Sequence, residues 1–146
     1  MTDNPIVAEI ARSWIGTPYQ HQASVRDVGA DCLGLIRGIW RSQLGSEPCQ
    51  LPGYTQDWGE CSGDEVLRQA ADRWLIRIGN KPQYVGSVLL FRIREKAIAK
   101  HLGILVSLGS LPTFIHAYSG HGVVESPLSD PWRRRIAAVY AFPKES

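Results

Sequence analysis

The chain of 146 residues carries 16 Lys and Arg against 14 Asp and Glu, for a formal net charge of +2. This length is sufficient for a single domain whose core needs no disulfide bonds. The near balance of charge, with one short basic run at Arg133-Arg134-Arg135, disfavours nucleic acid as a partner. The three cysteines lack CxxC spacing, so we predict no disulfide framework, no structural zinc site and no cofactor.

The sequence lacks the features of a membrane or secretion signal. Its amino end, Met1-Thr2-Asp3-Asn4-Pro5, has no basic region followed by a long apolar one, and no apolar run approaches the length that crosses a membrane. We therefore expect a protein that is synthesised and folded in the cytoplasm, without a signal peptide or a membrane span.

Helices are expected to dominate the first half of the chain. Asn4 marks the start of the first helix, which ends near Gly16 and carries an apolar stripe. Ser62-Gly63-Asp64-Glu65 matches a capping box and opens a later helix that continues to Gly79. The preceding segment, 45–63, is rich in Gly, Pro and Ser and is expected to be irregular. The stripe of the first helix consists of Ile6, Ile10 and Trp14.

Between these two helices the pattern predicts a helix with a cysteine at its first position. Asp31 is the expected N-cap, Cys32 the first helical residue and Gly45 the stop. Unpaired backbone amides and the positive end of the helix dipole favour thiolate over thiol at a helix start. Cys32 is therefore the candidate nucleophile, and we expect it to react with iodoacetamide at neutral pH faster than Cys49 or Cys61. The alternative is a buried cysteine that packs as a small apolar residue.

The second half of the chain changes to the alternation typical of strands. Short runs rich in β-branched, aromatic and aliphatic residues are separated by Gly, Pro, Ser and Asp, which predicts an antiparallel meander. Helices first and strands afterwards indicate an α+β domain, with one face of the sheet covered by the helix that carries Cys32. The predicted strands are Ser87–Arg92, Leu102–Leu108, Thr113–Tyr118, Gly122–Glu125 and Ile136–Phe142.

Two histidines lie on adjacent predicted strands. If Gly109-Ser110 is a two-residue turn, antiparallel register sets His116 opposite Gly103 and makes the two histidines diagonal neighbours on one face. Such neighbours lie roughly 7–8 Å apart, a distance that two imidazoles can span with a hydrogen bond. His101 is the candidate base for Cys32, His116 the group that orients it, and Gly103 is expected to leave space for the thiol. The alternative for each histidine is a structural role.

The loop before the cysteine helix supplies two further candidates. A developing oxyanion would be met by the backbone amide of Cys32 and by the hydroxyl of Tyr19. His21 follows Tyr19 and is a candidate for contact with the substrate, with a solvated loop histidine as the alternative.

The candidate residues stand in a succession of short motifs. These are Ile15-Gly16-Thr17-Pro18-Tyr19, Asp31-Cys32-Leu33-Gly34-Leu35, His101-Leu102-Gly103-Ile104, and Phe114-Ile115-His116-Ala117 followed by Gly122-Val123-Val124. From about Ile10 to the carboxyl end, the chain resembles the NlpC-type cell-wall cysteine peptidases. The resemblance implies a papain-like α+β fold, with Cys32 as nucleophile, His101 as base and His116 as the orienting residue. It also implies that Tyr19 assists the oxyanion site.

The resemblance implies a substrate as well. Such enzymes cleave the stem peptides of bacterial peptidoglycan, commonly between the γ-carboxyl of D-glutamate and diaminopimelate or lysine. Here Leu33 stands where the family often has Ser, and Gln20-His21-Gln22-Ala23-Ser24 replaces the usual Trp-Gly-Gly loop. This variant resembles the branch encoded beside the tail genes of phages and gene transfer agents. It implies phage-like tail proteins as partners and a particle that carries the enzyme to the cell wall.

Other functions use the same residues. Thiol-imidazole chemistry also serves acyl transfer or amide hydrolysis on substrates outside the wall. A catalytically silent tail component would use the fold only to bind peptide or to close a tail tip. Cys32, His101 and His116 could also hold zinc if they converged around an ion, although the sequence offers no other segment rich in metal ligands.

Overall fold

The computed structural model describes residues 3–48, 65–92 and 98–143 of the chain. No helix within these ranges has both the length and the apolar character needed to cross a membrane. The elements, in chain order, are α1 (Pro5–Ser13), β1 (Ser24–Val25), β2 (Gly29–Ala30), α2 (Cys32–Leu44), α3 (Val66–Trp74), β3 (Ile76–Gly79), β4 (Val88–Arg92), β5 (Ala99–Ser107), β6 (Thr113–Tyr118), β7 (Gly122–Pro127), α4 (Asp130–Arg133) and β8 (Ile136–Ala141).

The main sheet has six antiparallel strands in the order β3-β8-β4-β5-β6-β7. Strands β4 to β7 form the predicted meander, and β8 returns to lie between β3 and β4. Helices α1, α2 and α3 all contact β5 or its neighbours, so the predicted α+β class, with helices of the first half packed on the sheet, is confirmed.

The prediction of one continuous helix up to Gly79 is wrong. Helix α3 ends at Trp74, and β3 follows as an edge strand in which Ile76 pairs with Ala141 of β8. Alternation of isoleucine and arginine in this stretch fits a strand as well as a helix, and pairing with β8 satisfies its backbone groups. Residues 49–64, which hold most of the predicted irregular segment and the capping box up to Asp64, lie outside the described part of the chain.

Both faces of the central strands β4 and β5 are buried, and alternation along them divides the core into two clusters. Leu102 and Ile104 of β5 pack against the helices, in a first cluster that includes Cys32 and Leu35 of α2. The opposite face carries a smaller second cluster, which was not predicted and against which the half-buried Trp132 of α4 packs. Full burial of one large apolar side chain contributes about 1.5–3 kcal/mol, so both clusters stabilise the sheet. The second cluster consists of Leu89, Phe91, Leu105, Phe114, Leu128 and Val139.

Helix α1 packs on α2 through a stripe that matches the predicted one in part, since Trp14 is buried in the first cluster and Ile10 packs against it. Ile6 is 57% exposed, whereas the buried residues of α1 are Val7, Ala8 and Ala11. Small residues let the helices approach closely, and the ring of Trp14, just after α1, occupies the space over Gly38, where a Cβ would lie 2.0 Å from it.

The register between β5 and β6 agrees with the prediction near the histidines and departs from it at the turn. Ile104 pairs with Ile115, as the predicted register requires. A register shift then pairs Ser107 with Thr113, so the predicted two-residue turn is replaced by a longer connection. Pro112 lies in that connection and has no amide to donate to a ladder, which explains why the strands separate before it.

Candidate active site

Cys32 is the first residue of α2, as the capping signal predicted. The backbone amide of Gly34 donates to Oδ1 of Asp31 at 2.7 Å, which makes Asp31 the N-cap. The thiol is only 7% exposed, and its Sγ lies 4.0 Å from the carbonyl oxygen of Lys100. The helix start is therefore held against β5 beside the backbone of His101.

Asp31 also organises the loop that precedes the cysteine. Its Oδ2 accepts a hydrogen bond of 2.7 Å from the amide of Gln22, and Nδ1 of His21 lies 3.8 Å from the same oxygen. Gln22 has a φ of +64°, a conformation that few non-glycine residues adopt, and the bond to Asp31 compensates for it. The structure thus brings the candidate substrate residue His21 next to the cap of the cysteine helix.

Tyr19 is held beside the same helix start by a short parallel bridge to Ala30. Burial raises the pKa of the Tyr19 hydroxyl, and the negative charges that Cys32 and Asp31 can carry raise it further. The hydroxyl is therefore protonated at neutral pH and lies within electrostatic range of the thiol. A protonated hydroxyl near the nucleophile can donate to a developing oxyanion.

The helix start is opposed by burial, which acts on Cys32 in the direction opposite to the one expected from the helix dipole. Burial raises the pKa of the Cys32 thiol to about 12, and the carboxylate of Asp31 adds to that shift. The backbone amides of Leu102, Leu33 and Cys32 itself act in the opposite direction but do not outweigh burial. The helix dipole favours the charged form by a modest amount, whereas removing a charge from water costs more.

The two predicted histidines meet. His101 Nε2 and His116 Nδ1 are 2.8 Å apart, and the rings are nearly perpendicular at 77°. His101 is 8% exposed and His116 1%, so water has little access to this hydrogen bond. Because Nε2 of His101 is directed to His116, Nδ1 is the nitrogen left to accept a proton from the thiol.

A third polar group that the sequence analysis missed extends this pair. Nε2 of His116 lies 2.9 Å from Oγ of Ser126 on β7. The predicted strand ended at Glu125, two residues before the end of β7 and one before Ser126. The register His116 opposite Val124, continued by two residues, would have placed Ser126 on the same face as His116.

Aromatic rings of the second cluster enclose the histidine pair. The ring of Trp132 lies 5.6 Å from that of His101 and 5.3 Å from that of His116, and Phe114 lies 4.4 Å from His116. Phe114 also fills the space beside Gly103, where a Cβ would lie 2.7 Å from its ring. The prediction that Gly103 leaves room there for the thiol is therefore wrong: the imidazoles pack on the face opposite to α2.

This enclosure keeps both imidazoles neutral. Burial lowers the pKa of His101 to about 3, and the neighbouring His116 contributes to the shift. Burial lowers the pKa of His116 to about 4, with a further contribution from His121. At neutral pH the thiol and both imidazoles are thus uncharged, and His101 is available as a proton acceptor.

Contact between the thiol and Nδ1 of His101 stays a prediction. The structure places Sγ of Cys32 against the backbone on either side of His101, at the carbonyl of Lys100 and the amide of Leu102. Within residues 3–48, 65–92 and 98–143, no group of three or more His, Cys, Asp or Glu side chains is arranged to hold a metal ion. The zinc alternative for Cys32 and the two histidines accordingly has no geometric support.

Comparison with known proteins adds an independent line of argument. A sequence profile described as the NlpC/P60 family matches residues 16–140. A Gamma-DL-glutamyl hydrolase of Bacillus subtilis (strain 168) is 30% identical over 152 aligned residues, which cover 99% of this chain and 32% of that protein. The Murein DD-endopeptidase MepS/Murein LD-carboxypeptidase of Escherichia coli (strain K12) is 26% identical over 123 residues, covering 84% of this chain and 54% of that protein. The chain thus spans about half or less of these relatives.

Solved structures share the fold. The NlpC/p60 domain of the peptidoglycan hydrolase SagA superposes with a TM-score of 0.58 at 20% identity, covering 95% of this chain and 99% of that domain. A Staphylococcus aureus protein described as similar to lipoprotein, NLP/P60 family, superposes with a TM-score of 0.61 at 16% identity, covering 97% of this chain and 43% of the other. At these identities the likeness concerns the fold alone.

Proposed function

The chain belongs to the NlpC/P60 family of cysteine peptidases, and we propose that it hydrolyses stem peptides of bacterial peptidoglycan. The bond we assign is the one between the γ-carboxyl of D-glutamate and a diamino acid. The name of one relative, Gamma-DL-glutamyl hydrolase, supports this bond. The name of the other, Murein DD-endopeptidase MepS/Murein LD-carboxypeptidase, supports murein as the substrate but names different bonds. The observations that carry it are the 2.8 Å contact between His101 and His116 and the position of Cys32 Sγ, 4.0 Å from the carbonyl oxygen of Lys100, the residue before His101.

The chemistry follows from these positions. Sγ of Cys32 attacks the carbonyl carbon of the scissile amide while the thiol proton passes to Nδ1 of His101. The backbone amide of Cys32 and the hydroxyl of Tyr19 donate to the oxyanion. When the intermediate collapses, the C–N bond breaks and His101 returns its proton to the leaving amine.

Water completes the cycle. His101 takes a proton from a water molecule as its oxygen adds to the thioester carbonyl, and the C–S bond then breaks. The glutamyl carboxyl is released and the thiol recovers its proton. No cofactor enters any step: the thiol proton leaves with the amine, and the thiol regains a proton that His101 has taken from the attacking water.

His21 is proposed to contact the substrate. Its ring lies beside Asp31 at the entrance to the cysteine helix, and its side chain is partly exposed. A γ-linked glutamate keeps a free α-carboxylate, and a histidine can donate a hydrogen bond to such a group. His21→Ala is expected to raise KM for a γ-glutamyl peptide more than it lowers kcat, whereas unchanged KM would remove His21 from the substrate site.

We further propose that a phage-like tail delivers the enzyme to the wall from the bacterial cytoplasm where it is made. Support comes from the loop Gln20-His21-Gln22-Ala23-Ser24 and from Leu33, which resemble the tail-encoded branch of the family. Antibody detection of the chain in purified tail particles, and loss of the signal when neighbouring tail genes are deleted, tests this. Detection only in envelope fractions free of particles would refute delivery by a tail.

Defined muropeptides test the activity itself. The purified protein is incubated with a disaccharide tripeptide and a tetrapeptide, and the products are identified by mass alongside Cys32→Ala. A new amino terminus on the diamino acid, absent with Cys32→Ala, is the expected result. Identical product profiles for both proteins, despite binding to peptidoglycan, would instead favour the silent tail component. Turnover only of simple esters or lipid amides would favour the acyl-transfer alternative.

A further inference from the structure

Three polar side chains form a continuous chain across strands β5, β6 and β7. His101 Nε2 lies 2.8 Å from His116 Nδ1, and His116 Nε2 lies 2.9 Å from Ser126 Oγ. We propose that Ser126 is a positioning residue, which holds the ring and the proton of His116 so that Nδ1 of His101 stays free to act as the base. The role of His101 as the base rests on the proposed function, whereas the positions of the protons in this hydrogen-bonded chain do not.

Two arrangements of protons satisfy both contacts. In the first, His101 donates from Nε2 to His116, which donates from Nε2 to Ser126, and Nδ1 of His101 keeps its lone pair. In the second, Ser126 donates to His116, His116 donates from Nδ1 to His101, and Nδ1 of His101 carries a hydrogen. Each neutral imidazole has one donor and one acceptor nitrogen, so only the first arrangement leaves Nδ1 of His101 able to accept a proton.

The catalytic cycle itself requires the first arrangement. When His101 accepts the thiol proton it becomes an imidazolium and must donate from both nitrogens. His116 can accept at Nδ1 only if its hydrogen is on Nε2, and that hydrogen needs an acceptor. The oxygen of Ser126 is placed to be that acceptor, because it lies 2.9 Å from Nε2.

The surroundings of His116 give its Nε2 few other partners. His116 is 1% exposed, and the rings of Phe114 and Trp132 pack against it. Rotation of the ring by half a turn would exchange Nδ1 with a carbon and lose both hydrogen bonds. An unpaired polar nitrogen in an apolar setting is costly, so Ser126 stabilises one ring orientation.

Ser126 is well placed to do this because β6 and β7 are paired along their whole length. Phe114 pairs with Ser126 and His116 with Val124, so backbone hydrogen bonds fix Oγ relative to the imidazole. The other titratable groups against His116 are His101 on β5, Tyr118 on β6 and the nearby His121 in the turn.

The experiment compares Ser126→Ala and Ser126→Thr with a matched control. Thr113→Val removes another hydroxyl that joins the same two strands, since Thr113 Oγ1 donates to Glu125 at 2.7 Å without touching a histidine. Ser126→Ala should lower kcat about 10- to 100-fold with little change in KM, the size expected for one buried hydrogen bond. Ser126→Thr should recover most of kcat, and Thr113→Val should stay close to wild type.

Two outcomes of these kinetics would overturn the proposal. One is a kcat for Ser126→Ala equal to that of Thr113→Val. The other is a Ser126→Thr variant as slow as Ser126→Ala, since a restored hydroxyl would then be irrelevant. If thermal unfolding reveals that Ser126→Ala does not fold, Ser126→Cys, which keeps the volume but weakens the acceptor, takes its place and should show the same loss of kcat.

Nitrogen-15 NMR of the imidazoles separates this proposal from the proposed function. Wild type should show His116 protonated at Nε2 and His101 at Nε2, with His116 changing to a mixture of tautomers in Ser126→Ala. If the tautomer of His116 changes in this way but the protein does not cleave muropeptides, Ser126 is a positioning residue and the proposed peptidase function is rejected. An unchanged His116 tautomer in Ser126→Ala would reject the role of Ser126 whether or not the protein is a peptidase.

Discussion

The two faces of the sheet hold the two halves of the candidate active site and keep both uncharged. On the helical face, burial and Asp31 hold the Cys32 thiol protonated. On the opposite face, an aromatic enclosure that includes Trp132 keeps His101 and His116 neutral. Both halves are buried, so charge separation is disfavoured at rest and is expected to accompany substrate binding. Activation here depends more on burial than on a resting ion pair.

Removing the nucleophile is expected to have the largest effect. Cys32→Ala should abolish release of stem-peptide fragments, because Cys32 carries the only thiol in the described part of the chain that could form the thioester. The free energy of unfolding should fall by only about 1–2 kcal/mol, since alanine fits the first helical turn and loses one small buried group. Product analysis by mass and denaturant unfolding measure the two effects. Cys61→Ala is the control for loss of a thiol, and equal loss of turnover in that variant would contradict the assignment of Cys32.

Removing the orienting histidine should cost less. His116→Ala leaves the nucleophile and His101 in place but frees the ring of His101 to rotate, so kcat should fall about 100- to 1,000-fold and remain measurable. His121→Ala, at the exposed turn stacked on Tyr118, is the matched histidine control and should stay close to wild type. Complete loss of turnover in His116→Ala, with the fold intact, would mean that His116 takes part in proton transfer itself.

Removing the ring of Trp132 tests whether the aromatic enclosure keeps His101 and His116 neutral. The pKa values of His101 and His116 lie at about 3 and about 4, below the ordinary 6.5. Below pH 6.5 the unfolded chain therefore binds protons that the folded chain does not, and the free energy of unfolding falls as the pH falls. Trp132→Ala should raise both pKa values and flatten this dependence. It should also lower the free energy of unfolding at pH 7 by about 2–4 kcal/mol, because a large half-buried ring is lost.

The pH dependence of kcat should also change in Trp132→Ala. At pH 5 the wild-type His101 is still neutral, whereas in Trp132→Ala a growing fraction is charged and cannot accept the thiol proton. The ratio of kcat at pH 5 to kcat at pH 7 should therefore fall in Trp132→Ala. Trp40→Ala, which removes a half-buried ring from α2, should lower stability without changing that ratio. A changed ratio in Trp40→Ala would mean that the pH dependence reports general loosening.

The smallest expected effect concerns the thiol at rest. Alkylation of Cys32 by iodoacetamide in the free protein should be slower at pH 7 than that of free cysteine and should rise steadily with pH, because burial raises its pKa to about 12. Asp31→Asn should speed alkylation several-fold, since it removes a negative charge and asparagine still caps the helix. Mass spectrometry of the labelled peptide gives both rates. An alkylation rate that levels off near pH 7 would contradict the raised pKa and show that Cys32 is a thiolate in the free protein, as the helix start alone suggests.

Capping and hairpin signals predicted the positions of the candidate residues well. Asn4 and Asp31 cap α1 and α2, and Thr113–Tyr118 was predicted with the bounds that β6 has. The contact between His101 and His116 followed from the register of two adjacent strands. These features depend on residues close together in the chain, so the sequence contains most of what determines them.

Ser126 and Trp132 were missed for different reasons. Ser126 was within reach of the same register argument and was lost because the predicted strand stopped at Glu125. Trp132 could not be found by that register argument, because its ring contacts His101 only through the packing of α4 on the second face. The edge strand β3 was missed likewise, because its partner β8 lies far along the chain.

The amino-acid sequence by itself determined where α1 and α2 begin, which neighbouring strands pair as hairpins and which residues are candidates for the reactive groups. Only the tertiary structure decided on which side of the sheet each group lies and what charge it carries. A cap or a turn is settled by hydrogen bonds within a few residues. The pKa of a thiol or an imidazole instead depends on how much water is excluded by segments that meet only after folding, and no local pattern in the chain encodes that exclusion.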